Sequence, residues 1–559
     1  MICADIHKQE SRIVVWTDES KESIALRRVI DSLPYYLEFD NKYIISIYDF
    51  CLLKNGLDKE NLKSRRMSGP LRDKISLLNS EGEELPDLNL KRPLLPFHEG
   101  GVKFLASRNS LLADQMGLGK TGQALAAASL LIKQGKANHA IFLVTKSGME
   151  HWCDQIKTMF HDEDIDYVVV RGKANKRLPL YKEDHKFYLV SLDTFKKDIE
   201  KLFPNRNKKL REMWSKSIVV VDEIHRIKHS RTISAKACYK IGRYAAYRWG
   251  MTGTPLDGRV ENLYGVMNFI DRDFFVNKGH CLSYHTITDF WGGITEYRNM
   301  ESLREKLKTV MIRRLKKDVW KELPDKAYLD HYIDLSTEEK KLYKQIKRQQ
   351  LDMVSPEINE KINICLPIGL LSYGQMCVNT PTLIDRKWTK PSTKMKELYE
   401  LLEELTVISK VVVFTKFAKM CHILHQWLPW KSVVFTGELT TKERRKRQVD
   451  FLTNEEIRVF IMDTAGAQAI DLHGIEIDGV WHQGAEYLIR YDNLWNPAMN
   501  EQVEDRIHRV GQKEKVTIID LIARDTIEEK IKSLLVAKKE ITKRIIDKNL
   551  TEKECMILM

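Results

Sequence analysis

Long apolar runs are missing from this sequence; the longest, such as Ile218 to Val221, are the size of a β-strand. A membrane-spanning helix needs about 20 apolar residues in a row, so none is expected. The first residues, MICADIHKQE, lack a basic segment followed by an apolar one, which argues against a secretory signal. Cysteine is sparse. The 9 residues (Cys3, Cys51, Cys153, Cys238, Cys281, Cys365, Cys377, Cys421, Cys555) include no CxxC pair, so neither a zinc site nor a disulfide framework is indicated. That usage fits a reducing, intracellular compartment: a bacterial or viral-host cytoplasm, or a nucleus. Glycine (27) and proline (15) are too few for a collagen-like or disordered chain.

What is present is charge and enough apolar residue for several cores. Hydrophobic residues make up 43% of the 559, a length that suggests three or four domains. Lys and Arg (91) exceed Asp and Glu (78), for a net charge of +13. Such an excess favours a polyanionic partner, nucleic acid first.

Residues 1–90 read as a small α+β unit followed by a linker. Arg12 to Thr17 is strand-like, and Lys21 to Ser32 has helical spacing of Ile24, Leu26, Val29 and Ile30. Tyr35 to Phe39 and Tyr43 to Tyr48 flank an Asp40-Asn41 turn, and Cys51 to Leu57 forms a short helix. The polar residues 58–90 carry breakers at Gly69-Pro70 and Pro86. From Lys91 onward, short buried strands alternate with helices: Ser110 to Asp114, Ala140 to Val144, Tyr167 to Val170, Phe187 to Val190, Ser217 to Val221 and Tyr247 to Met251. The rhythm returns at Lys410 to Phe414, Ser432 to Phe435, Val459 to Met462, Gly479 to Gln483 and Val516 to Leu521. Continuous apolar strands are covered on both faces, as in parallel sheets flanked by helices. The expected architecture is therefore α/β, with parallel-sheet lobes at 91–275 and 393–535, a helical, charged segment at 276–392 between them, and a helical tail at 536–559.

Three motifs carry chemistry. Asp114-Gln-Met-Gly-Leu-Gly-Lys-Thr121 follows a strand and opens a helix. In that setting the N–H groups around Gly117 and Gly119 cradle phosphates, Lys120 reaches the β/γ-phosphates and Thr121 offers a hydroxyl to Mg²⁺. Asp114 stands where the strict pattern has glycine. Val219-Val-Val-Asp-Glu-Ile-His225 ends a buried strand in two carboxylates. Asp222 is placed to hold Mg²⁺, and Glu223 to orient and deprotonate the attacking water. His225 couples lobes or merely caps. Gln502-Val-Glu-Asp-Arg-Ile-His-Arg-Val-Gly-Gln512 sets Arg506 and Arg509 three apart, hence on one face of a helix. Such a pair can clamp a transferring phosphoryl group, a role worth about 10³ to 10⁵ in rate; a basic surface helix would look the same in isolation. The basic run Lys442 to Arg447 reads as a solvated helix face with phosphate contact open to it.

Together these motifs resemble the SNF2 family of superfamily 2 helicase-like, double-stranded DNA translocases. DQMGLGKT is similar to the family's DEMGLGKT, and DEIHRIKHSRT to its DEAH box. Met251-Thr-Gly-Thr-Pro255 is similar to LTGTP, MIRRLKKDV (311–319) to the segment bracing the lobes, and YDNLWNPAMNEQVEDRIHRVGQ to the W-N-P…R-x-H-R-x-G-Q block. The resemblance spans roughly 91–535. It implies two RecA-like lobes, ATP and Mg²⁺ as cofactors, and catalysis by Asp222, Glu223, Arg506 and Arg509.

It also implies coupling of hydrolysis to lobe movement through Thr252, Thr254 and Gln502. Backbone contacts to DNA would come from Lys146, Ser147, Ser191, Thr194, Lys228, Thr415, Thr436 and Thr464. His98 stands where the family carries an adenine-reading Gln, and Ala467 and Ala469 replace family glycines within DTAGAQAIDL (463–472). Ser23 to Leu57 resembles the HARP-type module that precedes some motors in the annealing-helicase branch. That likeness implies branched DNA as a partner beside duplex DNA. Because the motor's motifs all begin after Lys91 and Gly69-Pro70 to Pro86 reads as a linker, the motor lobes are expected to fold without residues 1–90. The function so implied is ATP-driven translocation on double-stranded DNA, which remodels it or displaces bound protein. The rivals are a DEAH-type RNA helicase, a nuclease-coupled motor and a DNA-binding scaffold with a dead ATPase.

Overall fold

The computed structural model describes residues 2–6, 12–17, 20–33, 36–40, 42–60, 62, 65–68, 70–72, 75–76, 84–146, 148–202, 214–253, 259–275, 278–290, 293–320, 324–347, 367–385, 387–464, 470–477, 480–509, 512 and 514–546. The chain divides into two compact units, the first built on Met1–Leu315 and the second on Lys316–Lys539.

The first unit holds a seven-stranded sheet in the order Met311–Ile312, Ser110–Leu112, Tyr247–Met251, Ser217–Val221, His139–Val144, Phe187–Ser191, Tyr167–Val170. Every pairing is parallel. Ser217–Val221 is buried at all five positions, which is why its sequence shows no alternation. Helix Lys120–Lys133 covers one face with a run of small residues, Ala124 and Ala126 to Ala128, that lets it pack closely.

The second unit holds a six-stranded, all-parallel sheet in the order Ala327–Ile333, Thr517–Ala523, Ala485–Arg490, Lys410–Phe414, Val459–Met462, Ser432–Phe435. Two of these strands depart from the sequence expectation. Gly479 to Gln483 was expected in the sheet, but Val480–Gln483 pairs antiparallel with Gly474–Ile477 as a separate hairpin. The sheet position belongs to Ala485–Arg490, whose charged end obscured it. Arg490 is tolerated there because Asp520 (2.5 Å) and Glu504 (2.8 Å) neutralise it. The segment expected to be helical also contributes Ala327–Ile333, an edge strand whose exposed residues hide the apolar pattern. Among the described residues, no helix is long and apolar enough to cross a membrane.

Ahead of the first lobe lies a five-stranded sheet in the order Tyr36–Phe39, Lys42–Ser46, Arg12–Thr17, Ile2–Ile6, Arg65–Met67, with helices Ser20–Asp31 and Phe50–Lys59. Arg65–Met67 comes from the stretch expected to be linker and pairs parallel with Ile2–Ala4; Gly69 lies outside the described residues. The sheet shares one hydrophobic core with the lobe, from Ile13, Ile45 and Leu53 through to Leu263, Phe274 and Leu307. Polar ties reinforce it. Tyr48 donates to Asp271 (2.8 Å), Arg12 pairs with Asp273 (2.7 Å), and Lys306 pairs with buried Asp49 (2.7 Å).

Lys306 also lies 5.1 Å from the Phe274 ring centroid and 5.7 Å from that of Phe275. Burial pushes the Asp49 carboxyl up, against the pull of Lys306. Removing one member strands the other charge. Lys306→Ala should therefore destabilise the first unit by about 3–5 kcal/mol, read as a fall in its urea midpoint. Replacing both members with apolar residues should recover most of the loss. A loss below about 1 kcal/mol in the single variant would mean that the pair is solvated and the sheet is held by other contacts.

Candidate nucleotide site and its arginine-bearing partner lobe

Three neighbouring strands of the first sheet, Ser110–Leu112, Tyr247–Met251 and Ser217–Val221, release their chains at the same carboxyl edge. That edge is where open α/β sheets place ligands. The first strand leads into Asp114–Thr121. Gly117 (φ 83°) and Gly119 (φ 65°) take left-handed backbone there. At Gly119 a side chain is also excluded by contact, because an added Cβ would lie 2.6 Å from His98 Nε2. Lys120 Nζ donates to the carbonyls of Asp114 (2.8 Å) and Gln115 (3.2 Å).

Asp114, the departure from the strict loop pattern, is fully buried and organises what surrounds it. It accepts from the Arg314 backbone N–H (3.1 Å), from Arg314 Nε (3.0 Å) and from Gln123 Nε2 (3.0 Å). Arg314 also donates to the Phe97 carbonyl and to Gln123 Oε1. Arg313 donates to the carbonyls of Ala113 (3.1 Å) and Gly253 (3.2 Å), tying two strand ends together. Gly253 packs so closely on Met116 that no Cβ would fit.

The strand Ser217–Val221 delivers Asp222 and Glu223. Asp222 accepts from Trp152 Nε1 (3.0 Å) and from the Glu223 N–H (2.9 Å). Burial, then the adjacent Glu223 charge, push its carboxyl up to about 6. A carboxylate so disfavoured has affinity for a cation. Glu223 turns through left-handed backbone (φ 48°), a costly conformation for a residue with a side chain and one that clusters at functional sites. Its Oε2 lies 3.2 Å from His225 Nδ1, and the same nitrogen is 3.5 Å from Thr252 Oγ1. Thr252 is buried at the end of the adjacent strand. His225 thus bridges the acidic pair and the Thr252 loop.

In the second unit, helix Pro497–Glu504 stops before the arginines. Arg506 and Arg509 lie in the turns that follow it, not on one helical face. The helix end is fixed by buried charge. Lys316 pairs with Asp505 (2.8 Å), and Lys326 pairs with Glu504 (2.9 Å) and Asp505 (3.3 Å). Burial opposes ionisation of Glu504 and Asp505, but these cations, with Arg490 beside Glu504, outweigh it and hold both carboxyls down to about 2. The two arginines are unequal. Arg506, with 5% of its side chain exposed, donates to the carbonyls of Gln502 (3.1 Å) and Ile470 (3.3 Å). Arg509, 22% exposed, pairs with Asp471.

Comparison with known proteins decides the family. The SNF2-related domain matches residues 12–383, and the helicase conserved C-terminal domain matches 393–511. The chain belongs to the SNF2-related family. It carries the helicase-like ATPase core of that family. It is 26% identical to the SWI/SNF-related matrix-associated actin-dependent regulator of chromatin subfamily A member 1 of Mus musculus, over 89% of this chain and 47% of that protein. It is 27% identical to an uncharacterized ATP-dependent helicase of Mycoplasma genitalium, over 82% of this chain and 43% of that one. The chain spans about half the length of the curated relatives it matches. The Sulfolobus solfataricus SWI2/SNF2 ATPase core in complex with dsDNA aligns at 24% identity and a TM-score of 0.39, covering 85% of this chain and 97% of that one.

The DNA-facing candidates of this SNF2-related chain fall into two groups. Lys146 is exposed, and Thr194, Lys228 and Thr464 are half-buried. Ser191, Thr415 and Thr436 are buried. Ser191 donates to Thr194 Oγ1 (2.8 Å), and Thr415 to Asp492 (2.6 Å). Buried hydroxyls engaged in this way shape the loops that carry them. Ser147, Thr254, Ala467 and Ala469 lie outside the described residues.

The sequence reading missed Arg314, Gln123, Trp152 and Asp471. Arg314 was visible inside MIRRLKKDV, read as a brace between lobes. Its side chain binds Asp114 in its own unit, while Lys316, the first residue of the second unit, binds Asp505 of that second unit. No local signal marked Trp152 or Asp471, whose partners lie 70 and 38 residues away in the chain.

Proposed function

We propose that the chain is an ATP-driven translocase on double-stranded DNA. The observation that carries this reading is the clustering of Lys120, Thr121, Asp222, Glu223 and Thr252 at one carboxyl edge, in a chain whose second unit carries Arg509 paired with Asp471. Lys120 and the N–H groups of the Gly117–Gly119 turn hold the phosphates. Asp222 and the Thr121 hydroxyl would hold Mg²⁺. That donor set fits Mg²⁺, which is usually bound by one or two carboxylates plus water and substrate phosphates: Asp222 is a carboxylate whose charge burial and the adjacent Glu223 disfavour. When bound, the ion would neutralise charge on the β- and γ-phosphates. Glu223 orients and deprotonates the attacking water, and His225 links it to the Thr252 loop; for Arg509, carried by the second unit, we propose the arginine-finger role.

DNA would be gripped through its backbone by Lys146, Lys228, Thr194 and Thr464, with little sequence preference. The net charge of +13 agrees with that partner. ATP hydrolysis should therefore rise with duplex DNA far more than with RNA, and the stimulation should fall steeply as salt increases. The measurement is phosphate release with no nucleic acid, single-stranded DNA, duplex DNA and RNA across a salt series. Equal or stronger stimulation by RNA would move the chain to the RNA helicases.

A further inference from the structure

The position at which family members read adenine is closed in this chain. A side chain that selects one base must offer it unused donors and acceptors, and His98 has none to give. It sits at the third position of helix Pro96–Ser107, where its Nδ1 accepts the Leu95 N–H (3.2 Å) and so caps its own helix. Its opposite edge faces the phosphate loop, with Nε2 against Gly119 and a hydrogen bond to the Leu118 backbone. Burial, then the nearby Arg314 charge, push the imidazole down to about 4, so at neutral pH the ring has one donor and one acceptor, both engaged.

Gln123, which engages the same Leu118 backbone as His98, is also committed. Gln123 is fully buried, its N–H₂ donating to Asp114 (3.0 Å) and to the Leu118 carbonyl (3.0 Å), its oxygen accepting from Arg314 (2.7 Å). The imidazole and the amide therefore serve as struts under the phosphate loop.

We propose that this site binds nucleoside triphosphates through their phosphates without reading the base, so that ATP, GTP, CTP and UTP are all substrates, and that His98 is a positioning residue for the loop. The proposal rests on the triphosphatase reading given above. A site built to hydrogen-bond a substrate group rejects analogues lacking it by about 10⁴–10⁵, and without such bonds that discrimination disappears.

The test uses the full chain with Mg²⁺ and saturating duplex DNA. Phosphate release is measured for each of the four triphosphates, and each is also titrated as a competitor against bound fluorescent ATP. The kcat/KM values and competition constants should agree within about tenfold. His98→Ala should weaken all four by one common factor, a ratio that does not depend on how much of the variant is folded. A preference for ATP above about a hundredfold, or a loss in His98→Ala confined to ATP, overturns the base-blind reading while leaving the triphosphatase intact. Failure to bind any triphosphate overturns both.

Discussion

Glu223→Gln should hold ATP as tightly as the unaltered protein and hydrolyse it at least about 10² slower, the scale of a lost general base. Lys120→Ala should fail earlier, at nucleotide binding. The distinction follows from what each group faces. Lys120 lies in the loop itself, bonded to the carbonyls of Asp114 and Gln115, where it can exchange those acceptors for phosphate oxygens. Glu223 lies past the end of the apolar strand Ser217–Val221, in left-handed backbone, with its carboxylate beside His225. The amide replacement keeps the shape and loses the proton-accepting charge. Equilibrium binding of a fluorescent nucleotide beside single-turnover hydrolysis separates the two failures. Hydrolysis at the unaltered rate by Glu223→Gln would show that another group activates the water.

Arg509→Ala should lower DNA-stimulated hydrolysis by about 10³ or more while leaving duplex affinity and thermal stability nearly unchanged. A guanidinium aimed at charge that appears only in the transition state affects rate more than ground-state binding. Arg509 is the more exposed member of the pair and forms an ion pair with Asp471. Arg506→Ala should behave differently. Its guanidinium is enclosed and donates to the carbonyls of Gln502 and Ile470, so its removal leaves buried acceptors unpaired. The expected result is a lowered unfolding midpoint of the second unit, with any loss of rate following from a loosened 470–472 segment. Thermal unfolding and phosphate release on both variants decide the matter. Normal turnover in Arg509→Ala with weakened DNA binding would instead make Arg509 a phosphate-backbone contact.

The chemistry was legible because it is local. A phosphate loop is eight consecutive residues between a strand and a helix, and the Asp222-Glu223 pair is the end of one apolar strand. The backbone conformation that makes each motif work is set within a few residues, by glycines at 117 and 119 and by the burial of Ser217–Val221. The two parallel lobes were legible for the same reason: unbroken β-branched runs mark buried strands. Strands that carry charge escaped. Ala485–Arg490 and Ala327–Ile333 look polar until Asp520 and Glu504 are placed beside Arg490, and until the latter strand is seen at an edge.

From the sequence alone came the parallel α/β lobes, the order of the three motifs, the candidate acids and arginines, and the departure at position 98. The tertiary structure decided how those side chains are engaged. It committed His98 and Gln123 to the phosphate loop, buried Arg506 and left Arg509 half-buried. It put Arg314 under Asp114 from 200 residues away, and closed the core of the first lobe with a sheet that the chain's polar stretch seemed to set apart. The physical reason is that a polar group's role depends on which donor or acceptor reaches it when water is excluded. That partner is chosen by packing, and no local pattern of residues records it.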